Sequence, residues 1–171
     1  MTQVDSFQIY KDEIELIRSQ NRVECELYSI VACIIRSSKQ GSNISLRDVS
    51  ARRKSKCSKP FEGESGFPDF VIMAREKTID AAVLGAIEVK YVDKDLDKSL
   101  EQLQGHRSSF SHVIYTNGLE WRLYNSKDSE NEWRVFLGKR DNAGIKWGDV
   151  SEWGCLLKNI DQINWMSNGI R

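Results

Sequence analysis

This sequence is short of the features that announce many binding classes. Its 25 basic residues balance 25 acidic ones, for a formal net charge of zero. That excludes a polybasic coat binding nucleic acid over the whole surface, although a local basic face remains compatible, because distribution matters more than the sum. There are only two prolines and two histidines, and the four cysteines (Cys25, Cys33, Cys57, Cys155) include no C-x-x-C pair. This argues against a structural zinc site, and nothing supplies the secretory context that a disulfide framework needs. No apolar run nears the roughly 18 residues of a membrane span. The start, Met1 to Ser6, lacks the basic-then-apolar layout of a signal peptide. The expectation is a cytoplasmic protein with no membrane partner. Its 171 residues, 40% apolar and 29% charged, can bury a core and match one domain in size.

The chain is predicted to be helical through its first third. Asp5 is the expected cap of a first helix carrying Ile9, Ile14 and Ile17. Asn21 precedes a second helix, with Glu24 where a capping box would place it. Leu27, Tyr28, Val31, Ile34 and Ile35 then repeat at the spacing of a buried stripe. Residues 39–66 turn polar and loop-like, with one strand near 44–49. Six basic residues (Arg47, Arg52, Arg53, Lys54, Lys56, Lys59) stand against Asp48 over 47–59. Strands follow at 70–73 and 82–92, then a helix over 93–105 with Leu96, Leu100 and Leu103 in line. His112–Thr116 is a strand, Asn117-Gly118 is a hairpin turn, and 119–124 returns as its partner. A strand at 133–137 and a helix capped near Ser151, with Trp153, Leu156, Leu157, Ile160 and Asn164 along one side, close the chain. This order predicts a mixed α/β or α+β fold, a mixed central sheet flanked by helices.

The chemistry-bearing segment is Gly66-Phe67-Pro68-Asp69-Phe70-Val71-Ile72, with eighteen residues separating Asp69 from Glu88-Val89-Lys90. Strand alternation sends Glu88 and Lys90 to one face and Ile87, Val89 and Tyr91 to the other. Charges on an otherwise apolar strand cost several kcal/mol unless paired or bound to a metal. Asp69 sits at the entry of the preceding strand, behind a proline that fixes chain direction. If those strands are neighbours, Asp69 and Glu88 can converge on one hard cation, with water filling the remaining positions as magnesium prefers. Lys90 would lie beside that water. The set suits phosphodiester hydrolysis, in which the metal neutralises phosphate charge and acidifies water and a lysine orients the water or stabilises the transition state.

Pro68-Asp69 with Glu88-Val89-Lys90 resembles the PD-(D/E)xK nuclease superfamily, the restriction-endonuclease-like fold. Val23-Glu24-Cys25-Glu26-Leu27 is similar to the acidic helix of archaeal Holliday-junction resolvases. Gln102-Leu103 resembles the downstream glutamine of the family, and residues 113–124 are similar to the hairpin closing the nuclease domain of type I restriction subunits. The likeness covers about residues 22–125 of a single nuclease-like domain spanning 1–171, with 126–171 an unmatched strand-and-helix extension. It implies magnesium or manganese held by Asp69 and Glu88, with Glu24 as a further or water-mediated ligand. Lys90 would activate water and Gln102 would support the site. Double-stranded or branched DNA is the implied partner. Such domains often dimerise to cut both strands, and the extension is a candidate homodimer contact. Two departures stand out. His106 replaces a tyrosine common four residues after the glutamine, and no phosphate-loop motif exists, so no motor for translocation-coupled cleavage is present.

Blander readings compete at each position. Asp69, Glu88 and Lys90 also suit an ion-pair network at a sheet edge. Glu24 also suits a capping box, and Glu26 competes with it. Gln102 also suits a solvated helix face. Arg52, Arg53, Lys54 and Lys56 suit a surface loop as well as contact with a phosphate backbone. His106 and His112 are assigned no role. The tryptophans read as packing, with Trp147 and Trp165 the candidates for a partner interface. As a whole, the rival to a DNA nuclease is a non-catalytic nucleic-acid-binding or protein-interaction module on the same fold, and a nuclease for RNA is a third reading.

Overall fold

The computed structural model describes residues 2–51, 56–98, 100–126 and 129–168. Helix α1 (Gln3–Gln20) opens with a capping box. The Thr2 hydroxyl accepts the Asp5 N–H at 3.2 Å and the Asp5 carboxylate accepts the Thr2 N–H at 3.0 Å. Thr2 is therefore the cap, and Asp5, expected in that role, sits in the first turn. The buried face is Phe7, Tyr10, Ile14 and Ile17, which leaves Ile9 in solvent. A 3₁₀ turn (Glu24–Leu27) leads into α2 (Tyr28–Ser37), which buries Val31, Ala32, Ile34 and Ile35. The expected Asn21–Glu24 capping box does not form. Asn21 donates to Glu26 Oε1 at 2.7 Å, and Val23 takes the cap position without a side-chain hydrogen bond. Glu24 is thereby left to face elsewhere.

Strands β1 (Ile44–Asp48), β2 (Phe70–Ala74), β3 (Val83–Val89), β4 (His112–Thr116), β5 (Glu120–Asn125) and β6 (Trp133–Phe136) form one sheet in chain order. All pairs are antiparallel except β3 and β4. That parallel pair needs a crossover, which a 3₁₀ turn (Leu96–Lys98) and α3 (Leu100–Ser109) provide. The single helix expected over 93–105 is thus split. The tighter turn shifts the stripe, so that Leu96 and Leu103 are buried while Leu100 is exposed. β3 also ends sooner than expected, just before Lys90.

A ribbon of β7 (Gly138–Arg140) and β8 (Ile145–Trp147) precedes α4 (Val150–Asp161). The sequence reading missed the ribbon because three-residue strands are too short for alternation to register. Asp149, rather than Ser151, caps α4, accepting the Ser151 N–H at 2.9 Å. Among the described residues no helix is long and apolar enough to cross a membrane.

The sheet separates two apolar layers. Ile87, Val89 and Trp121 pack with Ile14, Leu27, Ile35 and Trp153 on the side of α1, α2 and α4. Val71, Ala86, Val113 and Tyr115 pack with Leu96, Leu103 and Phe110 on the side of α3. Glu88, two residues after Ala86, shares the α3 side. Both tryptophans singled out for a partner interface make packing contacts within the chain. Trp147 lies edge-on to Phe7 and Tyr10 and donates to Glu15 at 2.6 Å. Trp165 is buried edge-on against His112, with centroids 5.5 Å apart. Gly85 makes the room for it, since a Cβ there would meet the His112 carbonyl oxygen at 2.7 Å and the Trp165 ring at 3.0 Å.

Trp165→Ala is therefore expected to cost about 3–5 kcal/mol and Gly85→Ala about 1–3 kcal/mol, read by urea denaturation. A loss below about 1 kcal/mol for Trp165→Ala would mean that the C-terminal segment is not an integral part of the core.

Candidate active site

The site is assembled where β2 begins and β3 ends. Phe70 lies opposite Ile87 and Val71 opposite Ala86, so Asp69, one residue before β2, stands beside Glu88. Its Oδ2 accepts the Val89 N–H at 2.8 Å. Just past β3, the Lys90 N–H donates to the Thr116 carbonyl at 2.7 Å. The Asn117-Gly118 turn steadies the loop that follows. Asn117 Oδ1 accepts the N–H groups of Leu119 and Glu120 at 3.0 and 2.8 Å, while its Nδ2 donates to the Lys94 carbonyl at 2.8 Å. Gly118 takes φ +84°, a conformation costly for other residues.

Side chains from four elements meet there. Lys90 Nζ lies 2.5 Å from Glu88 Oε1 and donates to Gln102 Oε1, on α3, at 2.9 Å. His106, one turn further along α3 and fully buried, holds Nε2 at 3.3 Å from Glu88 Oε2. That approach lacks hydrogen-bond alignment, and Glu88 Oε2 is a buried oxygen without a hydrogen-bond partner. Tyr28, at the start of α2, donates a short hydrogen bond to Asp69 Oδ1 and packs edge-on against Phe70. Glu24 feels the charges of both Lys90 and Glu88, and the Tyr91 N–H lies against its carboxylate. Glu26 is turned to Asn21 instead.

Burial and mutual repulsion set the electrostatics. Desolvation, then the nearby Glu88 charge, pushes Asp69 up to about 7, against the pull of Tyr28 and the Val89 N–H. Burial pushes Glu88 upward too, but His106 and Lys90 outweigh it and hold that carboxylate below its ordinary value. For Lys90, burial favours the neutral amine, yet pairing with Glu88 prevails and raises it. Glu24 is raised by burial, partly offset by Lys90. Tyr28 is raised by burial and by its bond to Asp69, so it stays protonated and donating. At neutral pH the site holds an ionised Glu88 and a charged Lys90, while burial and the Glu88 charge favour the protonated form of Asp69.

Asp69, Glu88, Lys90, Glu24 and Gln102, five residues singled out from the sequence, thus occur in one place. The basic cluster does not enter this picture. Arg52, Arg53 and Lys54 lie outside the described residues, as does the side chain of Lys56. Two neighbours were missed. His106 occupies the position where the resembled family carries tyrosine, which was its one available signal. Tyr28 read as part of an apolar stripe, and only the approach of α2 to β2 shows its hydroxyl at Asp69. Among the described residues no three His, Cys, Asp or Glu side chains form a ready-made metal cage. Two facing carboxylates do fit a hard divalent cation that keeps several waters.

No family model and no curated protein matches the chain. A solved structure does: in a cryo-electron microscopy structure of a DrdV–DNA complex, one chain superposes with a TM-score of 0.59 at 16% identity. The match covers 95% of the present chain and 14% of that one. At this identity the likeness is one of fold, and the chain spans about a seventh of its neighbour.

The raised Asp69 has a consequence for stability. Its folded value near 7 exceeds the unfolded value near 3.8, so the folded state binds the extra proton and stability falls as pH rises between those limits. In the presence of EDTA, Asp69→Asn should flatten that decline, which thermal melts at pH 5 and pH 8 would show. An unchanged pH slope would mean that Asp69 ionises normally.

Proposed function

We propose that this chain is a divalent-metal-dependent nuclease domain that hydrolyses DNA phosphodiester bonds. One observation carries the reading: two buried carboxylates, Asp69 and Glu88, side by side at the ends of adjacent strands, with Lys90 held between Glu88 and Gln102. A purely structural ion pair needs one acid and one base. The second acid raises the electrostatic cost and has no partner of opposite charge among the described residues, which is the pattern of a site kept for chemistry. The fold's likeness to part of a protein solved in complex with DNA supports a DNA substrate.

Asp69 and Glu88 would hold magnesium or manganese, with Glu24 at its edge. When bound, the cation supplies positive charge to the phosphate and makes water more acidic. The chain's own residues do the rest. Tyr28 and the Val89 N–H fix the Asp69 carboxylate through one oxygen each, leaving its remaining lone pairs for a ligand. Gln102 accepts from Lys90 and aims the ammonium, whose charge orients water or meets the negative charge that builds on the phosphate. His106 presses on the far oxygen of Glu88 and limits its rotation.

Incubation of plasmid and branched DNA with magnesium, manganese or EDTA tests this. Wild-type protein should cut only with metal, and Lys90→Ala or Asp69→Ala should each slow cutting by about a hundredfold or more. Added magnesium or manganese should also raise the melting temperature of wild type but not of Asp69→Ala. Equal cutting by both variants would refute the assignment, and a folded wild type that ignores metal even with DNA present would identify a non-catalytic module.

A further inference from the structure

A second feature lies at the opposite edge of the sheet from β1, on β6 and the β7–β8 ribbon. Register ties that edge to the site: Glu88 lies opposite Tyr115, Tyr115 opposite Arg122, and Arg122 opposite Arg134. Directly opposed residues share a face, so the row runs along the α3 side of the sheet. Three strand spacings of about 4.8 Å place Arg134 roughly 14 Å from Glu88, about four steps of a DNA strand rising about 3.4 Å each.

Within the row, Arg122 is buried and ion-paired with Glu120 and Asp97, and the half-exposed Arg134 shares both acids. Those charges cancel. The surplus lies just beyond. Phe136 carries the Arg134 guanidinium 4.5 Å from its ring centroid and the Lys139 ammonium at 5.0 Å. Lys139 in turn lies directly opposite Lys146 across the ribbon, and both are exposed. Like charges directly opposed on a strand pair repel, and neither lysine has a carboxylate partner among the described residues. Folding gains nothing from the pairing, whereas an anionic polymer laid along the edge would relieve it.

We infer that Lys139 and Lys146, just beyond Arg134 and Phe136, form a second contact for duplex DNA that grips backbone phosphates several nucleotides from the bond to be cut. The distance rests on the nuclease reading, but the contact can be tested apart from it. Anisotropy of a labelled duplex in calcium, over a series of salt concentrations, would compare wild type with Lys139→Gln/Lys146→Gln and Lys139→Glu/Lys146→Glu. Both positions are exposed, so melting temperatures should not change. The Gln pair should weaken binding about tenfold or more at low salt and reduce the salt slope by about two, and the Glu pair should weaken it further. Unchanged affinity and slope would overturn the inference, as would a wild type that binds no duplex or binds RNA in preference. Loss of binding in these variants of a protein that never cuts would uphold this contact and remove the nuclease reading. Cutting with binding unchanged in both variants would do the reverse.

Discussion

The placement of two carboxylates side by side at the strand ends of an apolar sheet is the constraint on which the rest of this structure depends. Asp69 and Glu88 are drawn together by backbone pairing of β2 with β3, not by mutual attraction. Low local polarity amplifies their repulsion, and burial penalises each charge separately. The surroundings answer with one lysine, one glutamine, one tyrosine hydroxyl and one backbone N–H, each aimed at a particular oxygen or at the lysine itself. Even so, one Glu88 oxygen is left without a hydrogen-bond partner. A buried polar group left this way is costly and is offset by stability elsewhere.

That stability comes from the two layers on either side of the sheet. On one side, α1, α2 and α4 bury long apolar and aromatic side chains, including Trp121 and Trp153. On the other, α3 covers a smaller patch around Leu103 and Phe110. The division shapes the candidate site. The larger layer anchors β2 and β3, while the smaller one leaves room at the strand ends for Gln102 and His106 to reach inward from α3. The parallel step from β3 to β4 makes this possible, because its crossover returns a helix over the strand that carries Glu88.

The Asn117-Gly118 turn joins fold and site. It closes the β4–β5 hairpin, and through the Asn117 amide it also fastens the loop after Lys90. Tyr10 of α1 donates to the Gly118 carbonyl, so the N-terminal helix, the turn and the Lys90 loop are linked through main-chain oxygens. A helix far from the acids in sequence thus restrains the lysine beside them.

Much of this was legible in the linear sequence, for a physical reason: alternation and helical spacing are local, and so are turn preferences. The strand at 112–116, its Asn-Gly turn and the α2 stripe were all readable, as was the meeting of the Glu88 and Lys90 side chains. Short elements and their boundaries were not. The β7–β8 ribbon carries too few residues for a period, and Thr2 rather than Asp5 capped α1 because both residue types suit the role. The sequence by itself determined a mixed sheet flanked by helices and a small set of acids, a lysine and a glutamine able to share a site. Only the tertiary structure decided which groups converge. Glu24 rather than Glu26 faces Lys90, the Tyr28 hydroxyl reaches Asp69, and His106 lies against Glu88. Those choices depend on how α2 and α3 approach the sheet, and packing between distant segments leaves no periodic trace in the chain.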